Sequence, residues 1–534
     1  MGSIYYSPIL GFCFIKIRSP GLRRLSGPRG IYIFVTRKLP KRAKQVIGIP
    51  ILGAVPYLPK LQPWIKFYEW SKQYGDIYEC NLAGQNVVII SSPKIAEDLF
   101  VRRANIYSDR PPIAAIMHDC RTSMHYNPLM GAGEDHKRGR AFVKHLVSNT
   151  PRDFLATLAQ KESQELVSNL LEDPAQWRDN VQKQIARVTT QAAWNDNKLK
   201  TAEKAVWNAD NLIPRISPDG AIENKFPFLT LIPNWIPLSL QPWKAQEIAR
   251  YNQEREFWFG QMEKTMNRSD QSQSLSWMEK FLFTKGDRDH GVSIEEAGYA
   301  IGMLTTIGSV LLSSPIQSLL LALCFHPEWQ SKAQVEIDRE CGDRAPHPSD
   351  MSKLPTVRAL VREVFRWRPP VPLGKEFNFG CHIAWSKTTY IMAISYPKEQ
   401  FAWPQNASSS ATLHYSFGDL ANNQNRAITR DKSLYPDPEC FRPERWLEPS
   451  FPTYREPLSK YPEIKGHSGF GWGGRACIGQ GYSETVLFTM ASTILWGCDV
   501  VKQRDAKTGQ YLHIPWMDIE PPNAIVRPTW FPLD

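Results

Sequence analysis

The longest apolar segment of the chain begins after Ser293 and continues past Leu323. Glu296 follows Ser293 by three residues, which is the capping-box pattern of a helix start. The run AGYAIGMLTTIGSVLLSS that follows is almost wholly apolar, so the helix it predicts must be buried on all sides. Pro315 lies inside this run and predicts a kink or an end of the helix there. The chain therefore needs a layer of other elements around this segment.

Other helical segments supply that layer. Helical periodicity is found at 64–74, 154–171, 181–190, 248–266, 327–339 and 354–367. One short β-rich run, Val87–Ile90, predicts minor β structure around 77–91, and a second β part is expected near the C-terminus. Six prolines between Pro214 and Pro242 predict a loop region. The predicted fold class is mainly α with a small β part, and no linker divides residues 47–534, which predicts a single domain.

Basic residues are concentrated at one end of the chain. The sequence has 64 Lys and Arg against 53 Asp and Glu, a formal net charge of +11. Residues 1–68 contain twelve of the basic residues and none of the acidic ones, so the remainder has a net charge of −1. A nucleic-acid-binding domain carries its basic residues on the folded body. No nucleic acid is therefore expected as a partner.

Residues 1–46 are interpreted as a basic N-terminal leader. Ile4–Ile17 is apolar but only 14 residues long, whereas a helix that spans a bilayer needs about 20 apolar residues. The basic residues follow the apolar stretch and no small-residue cleavage site is present, unlike in a signal peptide. Two interpretations stay open: a poorly ordered leader, or a weak membrane-surface anchor that is apolar first and polybasic next.

The segment Phe470–Gly479, FGWGGRACIG, indicates the chemistry. Its glycines allow the backbone to approach another group closely. Cys477 stands where an apolar helix is predicted to start, and a thiolate is stabilised at a helix N-terminus. Such a sulfur suits a soft metal or haem iron, and Arg475 offers a cation for a carboxylate. The nine cysteines include no Cys-x-x-Cys pair, so a disulfide framework is not predicted.

A dinucleotide-binding site is the alternative for this segment. Gly469, Gly471 and Gly474 fit the Gly-x-Gly-x-x-Gly pattern. That pattern must follow a strand in a parallel βαβ unit. Lys465–Ser468 precedes it instead, and the chain lacks the required alternation of strands and helices. The dinucleotide interpretation is therefore rejected.

The same segment resembles the haem-binding signature of the cytochrome P450 family, Phe-x-x-Gly-x-Arg-x-Cys-x-Gly. The matching positions are Phe470, Gly473, Arg475, Cys477 and Gly479. By this resemblance all five are cofactor-binding residues, Cys477 is the axial ligand of the haem iron, and the fold is that of a single catalytic domain. The C-terminal third is similar to family members of fungal secondary metabolism.

Two further motifs support the resemblance. Glu363-x-x-Arg366 and the segment around Arg445 resemble the family's Glu-x-x-Arg and Pro-Glu-Arg motifs. They predict a buried ion triad of Glu363, Arg366 and Arg445, with an ordinary surface salt bridge as the alternative. His136 and Arg140 match the family's Trp-x-x-x-Arg, whose members reach the haem propionates. His136 can still donate a hydrogen bond, and the alternative is a solvated basic helix face.

The long apolar helix departs from the family pattern Ala/Gly-Gly-x-Asp/Glu-Thr-Thr. Gly302, Thr305 and Thr306 match it and are the predicted catalytic residues, but Leu304 replaces the acid. A leucine cannot relay protons, so the threonine hydroxyls with water would have to do so. Alternatively, the enzyme rearranges or dehydrates its substrate without using O₂.

Residues 375–425 are a second departure. The family continues here into short strands, whereas this stretch is longer and unpatterned. It is interpreted as an atypical insertion or a gene-model error, with poor order expected near Gln405–Ser410. This region puts haem retention in doubt.

The resemblance implies a haem-thiolate monooxygenase. It would insert one oxygen atom from O₂ into an apolar small molecule in secondary-metabolite biosynthesis, with electrons from an NADPH-dependent cytochrome P450 reductase. The reductase would dock near Arg442, Arg445 and Arg475. The expected location is the cytosolic face of the endoplasmic reticulum membrane, through residues 1–46. The alternatives are a haem-thiolate isomerase or dehydratase and a degenerate homologue that lacks haem.

Overall fold

A computed structural model describes the chain from residue 44 to residue 533. The residues it leaves out within this range are 51, 83–84, 111–112, 117–123, 218–219, 234, 269–275, 285–289, 374–376, 379–391, 398–409, 416–419, 424, 515–518 and 520–524. The leader at 1–46 lies outside the described residues, apart from its last three. Most of 375–425 also lies outside them, including Gln405–Ser410 except for Ser410.

The described part of the chain contains fifteen α-helices. In chain order they are α1 (Pro63–Tyr74), α2 (Pro93–Glu97), α3 (Ala104–Tyr107), α4 (Glu134–Ser148), α5 (Arg152–Glu172), α6 (Trp177–Trp194), α7 (Leu199–Ile216), α8 (Ile222–Lys225), α9 (Pro242–Met266), α10 (Trp277–Phe283), α11 (Ile294–Phe325), α12 (Pro327–Cys341), α13 (Pro355–Trp367), α14 (Asn425–Ile428) and α15 (Gln480–Gly497). The mainly α fold class is confirmed.

Helix α11 is the central element of the fold. Glu296 N–H donates to Ser293 Oγ at 3.1 Å and Ser293 N–H donates to the Glu296 carboxylate at 2.8 Å, so the predicted capping box is confirmed. The helix contacts α6, α7, α9, α13 and α15. It is long and apolar enough to cross a bilayer, but most of it is buried inside the protein.

Of the two effects predicted at Pro315, a kink or an end, the end is wrong, because the helix continues to Phe325. Proline removes one hydrogen-bond donor from the helix. At this position both sides of the helix are packed: Ser314 and Pro315 are buried, and Ser314 Oγ donates to the carbonyl of Val526. Burial of the whole apolar surface outweighs the lost hydrogen bond.

The predicted loop region beginning at Pro214 is also partly wrong. Pro214 lies in the last turn of α7. The apolar face of α7, which includes Ala205, Ala209 and Leu212, is fully buried. This face packs against α6 and α11, and the contact extends the helix through the proline.

A five-stranded sheet is the main β part. Its strands are β1 (Lys44–Val46), β2 (Ile77–Leu82), β3 (Gln85–Ile90), β4 (Phe377–Asn378) and β7 (Leu420–Asn423), in the order β1-β2-β3-β7-β4. β2 and β3 are antiparallel, β7 runs parallel to β3 with Val87 opposite Leu420, and β4 is antiparallel to β7. The β structure predicted at 77–91 is confirmed, whereas the described C-terminal residues form only isolated bridges.

Strands β4 and β7 come from the stretch 375–425, which carries no strand pattern in the sequence. Two further strands of this stretch, β5 (Met392–Pro397) and β6 (Ser410–Tyr415), pair with each other in antiparallel fashion. They belong to a separate compact unit of the chain, and all other described elements belong to the second unit.

Candidate functional site

The loop that carries Cys477 is fixed by its own backbone. Cys477 N–H donates to the carbonyl of Phe470 at 2.7 Å, and Gly479 N–H donates to Cys477 Sγ at 3.3 Å. Gly473 has a φ of +55°, and a Cβ atom there would lie 1.9 Å from the Phe100 carbonyl oxygen. Only glycine fits this position, so the loop is held against the turn at Asp98–Arg102.

The thiol of Cys477 is not stabilised as a thiolate by the helix alone. Helix α15 begins at Gln480, three residues after Cys477. Cys477 is exposed, yet protein surrounds the sulfur closely enough that burial raises the pKa of the thiol. The Gly479 N–H and the nearby Arg140 lower the pKa without reversing this effect. A bound metal cation would supply the missing stabilisation of a thiolate.

A basic cluster lies beside this loop. Arg140 on α4 donates to the carbonyl of Ala476 at 2.6 Å, and Arg475 Nε donates to the carbonyl of Ser108 at 2.8 Å. His136 is buried, and burial together with Arg475, Arg140 and Arg110 lowers its pKa to about 3. The imidazole is therefore neutral at pH 7 and able to donate one hydrogen bond. His136 does not belong to a solvated helix face.

Two guanidinium nitrogens in the cluster lack an acceptor. Nη1 and Nη2 of Arg475 are buried without a hydrogen-bond partner, and burial lowers the pKa of this side chain to about 10. Buried donors that lack partners are costly, so the cluster suits an anionic ligand. A haem carries an iron that a cysteine thiolate can ligate. It also carries propionate carboxylates, which can accept hydrogen bonds from buried guanidinium groups. The residues therefore fit a haem.

We expect Arg475→Leu to weaken haem binding by roughly tenfold or more, since a hydrogen bond to a charged group contributes about 1.5–3 kcal/mol. The rate of haem transfer to apomyoglobin measures this effect. Arg138→Leu is the control, because Arg138 is on the same helix as His136 but pairs with Glu296 at 2.8 Å at the surface. Equal transfer rates for the two variants would contradict the role of Arg475.

Helix α11 has a partly exposed stripe of residues on one face. Leu304, Ile307, Gly308 and Leu311 are the partly exposed residues in the middle of this otherwise buried helix. Their spacing places them on one face. Leu304, Ile307 and Leu311 pack against the same hydrophobic cluster as Ile478, the neighbour of Cys477. The stripe therefore adjoins the same part of the core as the cysteine loop.

The predicted catalytic residues of α11 lie on other sides of the helix. Thr305 Oγ1 donates to the Ile301 carbonyl and Thr306 Oγ1 to the Gly302 carbonyl, each at 3.1 Å. Both side chains are at most 1% exposed. A Cβ atom on Gly302 would lie 2.4 Å from the Trp258 ring, so this glycine allows α9 to approach α11. The structure does not bring these three residues into the stripe.

The predicted ion triad is assembled and fully buried. Arg366 donates to Glu363 at 2.6 and 2.9 Å, and Arg445 Nε lies 3.4 Å from the same carboxylate. Glu363 also accepts from the Arg442 backbone N–H at 2.8 Å and from Trp446 Nε1 at 3.0 Å. All three triad side chains are 0% exposed. A surface salt bridge is therefore excluded for this group.

Comparison with known proteins agrees with this geometry. The family model of cytochrome P450 matches residues 44–378 and 424–514. The chain is similar to the cytochrome P450 monooxygenase psoD of Aspergillus fumigatus, with 29% identity over 87% of this chain and 85% of the relative. It is also similar to the cytochrome P450 monooxygenases virE of Hypocrea virens, 25% identical over 91% and 83% of the two chains, and iboC of Amanita muscaria, 27% identical over 89% and 86%.

The family model leaves out 379–423, which lies inside the atypical stretch predicted at 375–425. On either side of that stretch the match covers α1 to α13 and the Cys477 loop with α15. The chain therefore belongs to the cytochrome P450 family and is an oxidoreductase of the monooxygenase type.

Proposed function

We propose that this chain is a haem-thiolate monooxygenase that inserts one oxygen atom from O₂ into an apolar small molecule. The observation that carries the proposal is that one loop holds both Cys477 and Arg475, whose Nη1 and Nη2 are buried without a hydrogen-bond partner. The ligand of this site must bind a cysteine sulfur and must offer carboxylates to the guanidinium nitrogens. A haem does both, through its iron and its propionates. The proposed setting is secondary-metabolite biosynthesis, which the similarity to fungal monooxygenases supports.

A haem held by a cysteine thiolate supplies the centre that activates O₂. The protein's own residues would hold this group: Cys477 through sulfur, and Arg475, His136 and Arg140 through hydrogen bonds to carboxylates. The Gly479 N–H donates to the Cys477 sulfur and so fixes the orientation of this side chain. Such hydrogen bonds to a ligating sulfur tune the electron density at the metal.

The substrate would be apolar where it contacts α11. Leu304, Ile307 and Leu311 are partly exposed and adjoin the same cluster as Ile478, so they would present only hydrocarbon to a ligand bound near Cys477. An apolar wall favours a ligand of the same character because apolar surface leaves water on binding.

The proposed electron donor is an NADPH-dependent reductase. The docking surface predicted from the sequence needs a correction, since Arg445 is 0% exposed within the ion triad and Arg475 is largely buried. Arg442 is partly exposed, and its side chain bonds to Glu444 at 2.8 Å and Asp437 at 3.0 Å. Of the three arginines, only Arg442 has a side chain open enough to meet a partner.

The proposal is tested by turnover with a purified fungal P450 reductase, NADPH and ¹⁸O₂, using an extract of the organism that encodes the chain as the substrate pool. We expect one ¹⁸O atom in the product and consumption of both NADPH and O₂. A product formed without either would contradict the monooxygenase function. Protein that takes up no haem when haem is added would instead support the degenerate homologue.

A haem-thiolate isomerase or dehydratase is the second candidate. The stripe of Leu304, Ile307, Gly308 and Leu311 in the middle of α11 has no acid or hydroxyl side chain, and the hydroxyls of Thr305 and Thr306 are bonded to their own helix. A proton relay from these side chains to O₂ is thereby disfavoured. Turnover that continues without NADPH and without O₂ would decide for this candidate.

The location proposed is the cytosolic face of the endoplasmic reticulum membrane. Besides the basic leader, the segment 222–240 supports it. Leu231 and Trp235 are about four-fifths exposed, and Leu240 is two-thirds exposed. Exposed large apolar side chains concentrated in one segment are typical of a membrane or protein contact.

We expect the double change Leu231→Ser and Trp235→Ser to reduce co-sedimentation of the full chain with phosphatidylcholine vesicles by about half or more, since apolar burial drives interfacial binding. Val335→Ser, an exposed apolar residue on α12, is the control. Equal sedimentation of both variants would contradict a role of 222–240 in membrane contact.

A further inference from the structure

A buried charge network away from Cys477 connects four parts of the fold. Its members are Tyr126, Arg215, Glu223, Glu247, Arg250 and Glu254, and each is at most 7% exposed. They come from the turn at Met124–Leu129, the end of α7, helix α8 and helix α9. None of them belongs to the site described above.

One end of the network holds the backbone of Ala115. Arg215 donates to the carbonyl of Ala115 through Nε at 3.1 Å and through Nη2 at 2.6 Å. The same guanidinium is neutralised by Glu223 at 2.6 Å and Glu247 at 3.1 Å. Asn224 accepts from the Ala115 N–H at 3.1 Å. Both backbone groups of Ala115 are therefore tied to α7 and α8.

Asn224 also connects this contact to the end of α7. Its Nδ2 donates to the carbonyls of Arg215 and Ser217, each at 2.8 Å. Since a single amide side chain joins Ala115 to the carbonyls of Arg215, in the last turn of α7, and of Ser217, just after it, the position of Ala115 follows the end of this helix.

The other end of the network fixes Tyr126. Arg250 donates to Glu247 at 2.8 and 2.9 Å, to Glu254 at 2.9 Å and to the Tyr126 hydroxyl at 2.8 Å. Tyr126 donates to Glu254 at 2.6 Å. The segment before 117–123 is thus held by Arg215 of α7 and the segment after it by Arg250 and Glu254 of α9, and the Arg215–Glu247 pair joins the two anchors. Charge-assisted hydrogen bonds of this kind are among the strongest in proteins.

The residues beside Ala115 contact the same hydrophobic cluster as the α11 stripe. Ile116 is buried in the hydrophobic cluster that Leu304, Ile307 and Leu311 pack against, and Ile113 packs against that cluster from the same loop. Residues 113–116 and the α11 stripe therefore adjoin one hydrophobic cluster, which Ile478, the neighbour of Cys477, also contacts. The position of residues 113–116 is determined by the Ala115 contacts, because the surrounding side chains are apolar and non-directional.

We propose that Arg215 is a positioning residue that sets which ligand sizes fit near Cys477, by holding residues 113–116 against the apolar wall of α11. The inference rests on the proposed function, since it requires a haem at Cys477. Arg215 touches neither the cysteine loop nor α11 in the contacts above. It acts through Ala115.

Two azoles of different size test the proposal, because both bind haem iron through nitrogen and shift the Soret band. Imidazole is small, whereas clotrimazole needs the apolar walls. In Arg215→Met we expect the Kd of clotrimazole to rise at least tenfold and the Kd of imidazole to change less than twofold. The haem content and the spectrum of the reduced carbon monoxide complex should equal those of the wild type.

The matched control is Glu162→Gln on α5. Glu162 is 0% exposed and lies 3.0 Å from Arg187, so the change also disrupts a buried ion pair, but one that does not contact Ala115. Its ratio of clotrimazole to imidazole Kd should equal that of the wild type. Equal weakening of both azoles in Arg215→Met, or the same ratio in both variants, would overturn the positioning role.

Asn224→Ala provides a second variant in case Arg215→Met does not fold. It removes the acceptor of the Ala115 N–H and leaves no charge unpaired, so clotrimazole should weaken relative to imidazole here too. An unchanged ratio would count against the proposal. A wild-type protein without the thiolate-type carbon monoxide spectrum would contradict the proposed function itself, which separates the two failures.

Discussion

Glu363→Gln is expected to destabilise the protein by about 3–5 kcal/mol, the range found when one partner of a buried ion pair is removed. The carboxylate accepts from Arg366, Trp446 and the Arg442 backbone, and Arg445 lies within 3.4 Å. A neutral amide leaves two buried guanidinium groups without their counter-charge. Since proteins are stable by only about 5–15 kcal/mol, this variant should lose a large share of its free energy of unfolding.

Urea unfolding followed by tryptophan fluorescence measures the effect, with Glu439→Gln as the matched control. Glu439 also pairs with two arginines, Arg426 at 3.1 Å and Arg430 at 3.4 Å, but its side chain is 54% exposed. The two arginines are themselves 11% and 1% exposed, but the half-exposed carboxylate stays hydrated and Arg430 also donates to the carbonyls of Arg366 and Trp367. This variant should therefore lose much less stability than Glu363→Gln, and its midpoint should lie closer to that of the wild type. Equal midpoints for the two variants would show that burial of the triad does not matter.

Cys477→Ala is expected to abolish turnover with NADPH and the reductase. The variant loses the only sulfur that the described loop places beside Arg475 and Arg140. Arg475, Arg140 and His136 remain, so haem can still be held through its carboxylates, with lower affinity and without thiolate ligation. Haem content per chain and NADPH consumption during turnover measure the two effects separately.

Cys440→Ala is the control for this prediction. Cys440 is exposed like Cys477, but its backbone carbonyl, which accepts from Arg366 at 2.8 Å, is unaffected by the change. This variant should retain haem and activity. If Cys477→Ala keeps wild-type turnover, the sulfur has no part in the reaction.

The local patterns of the sequence predicted the elements that depend on neighbouring residues. The capping box at Ser293 and the i, i+3 pair of Glu363 and Arg366 are decided within one helical turn. Burial of α11 follows from its composition, since no side of it is polar. Arg445 was recognised through the family motif, and its distant partner followed from that resemblance.

Other features could not be predicted because they depend on distant contacts. Strand β4 has two residues and exists through pairing with β7, which in turn pairs with β3. The stripe of Leu304, Ile307, Gly308 and Leu311 has helical spacing, but an apolar helix offers no contrast between its faces. The hydroxyl contacts of Thr305 and Thr306 likewise became visible only from the geometry.

The raised pKa of Cys477 has a similar origin. A helix N-terminus in the sequence favours a thiolate, but the helix begins three residues later and burial dominates. Sequence spacing alone did not indicate that the protein packs so closely around the sulfur. Arg110 was missed for the same reason, because only the fold brings it to His136.

The ultraviolet-visible spectrum of the reduced, carbon-monoxide-bound full-length protein tests the central claim most directly. We predict the strongly red-shifted Soret band that a thiolate ligand produces, present in the wild type and absent in Cys477→Ala. A wild-type protein that binds haem but shows the Soret band of a complex without thiolate would contradict the assignment of Cys477 as the iron ligand.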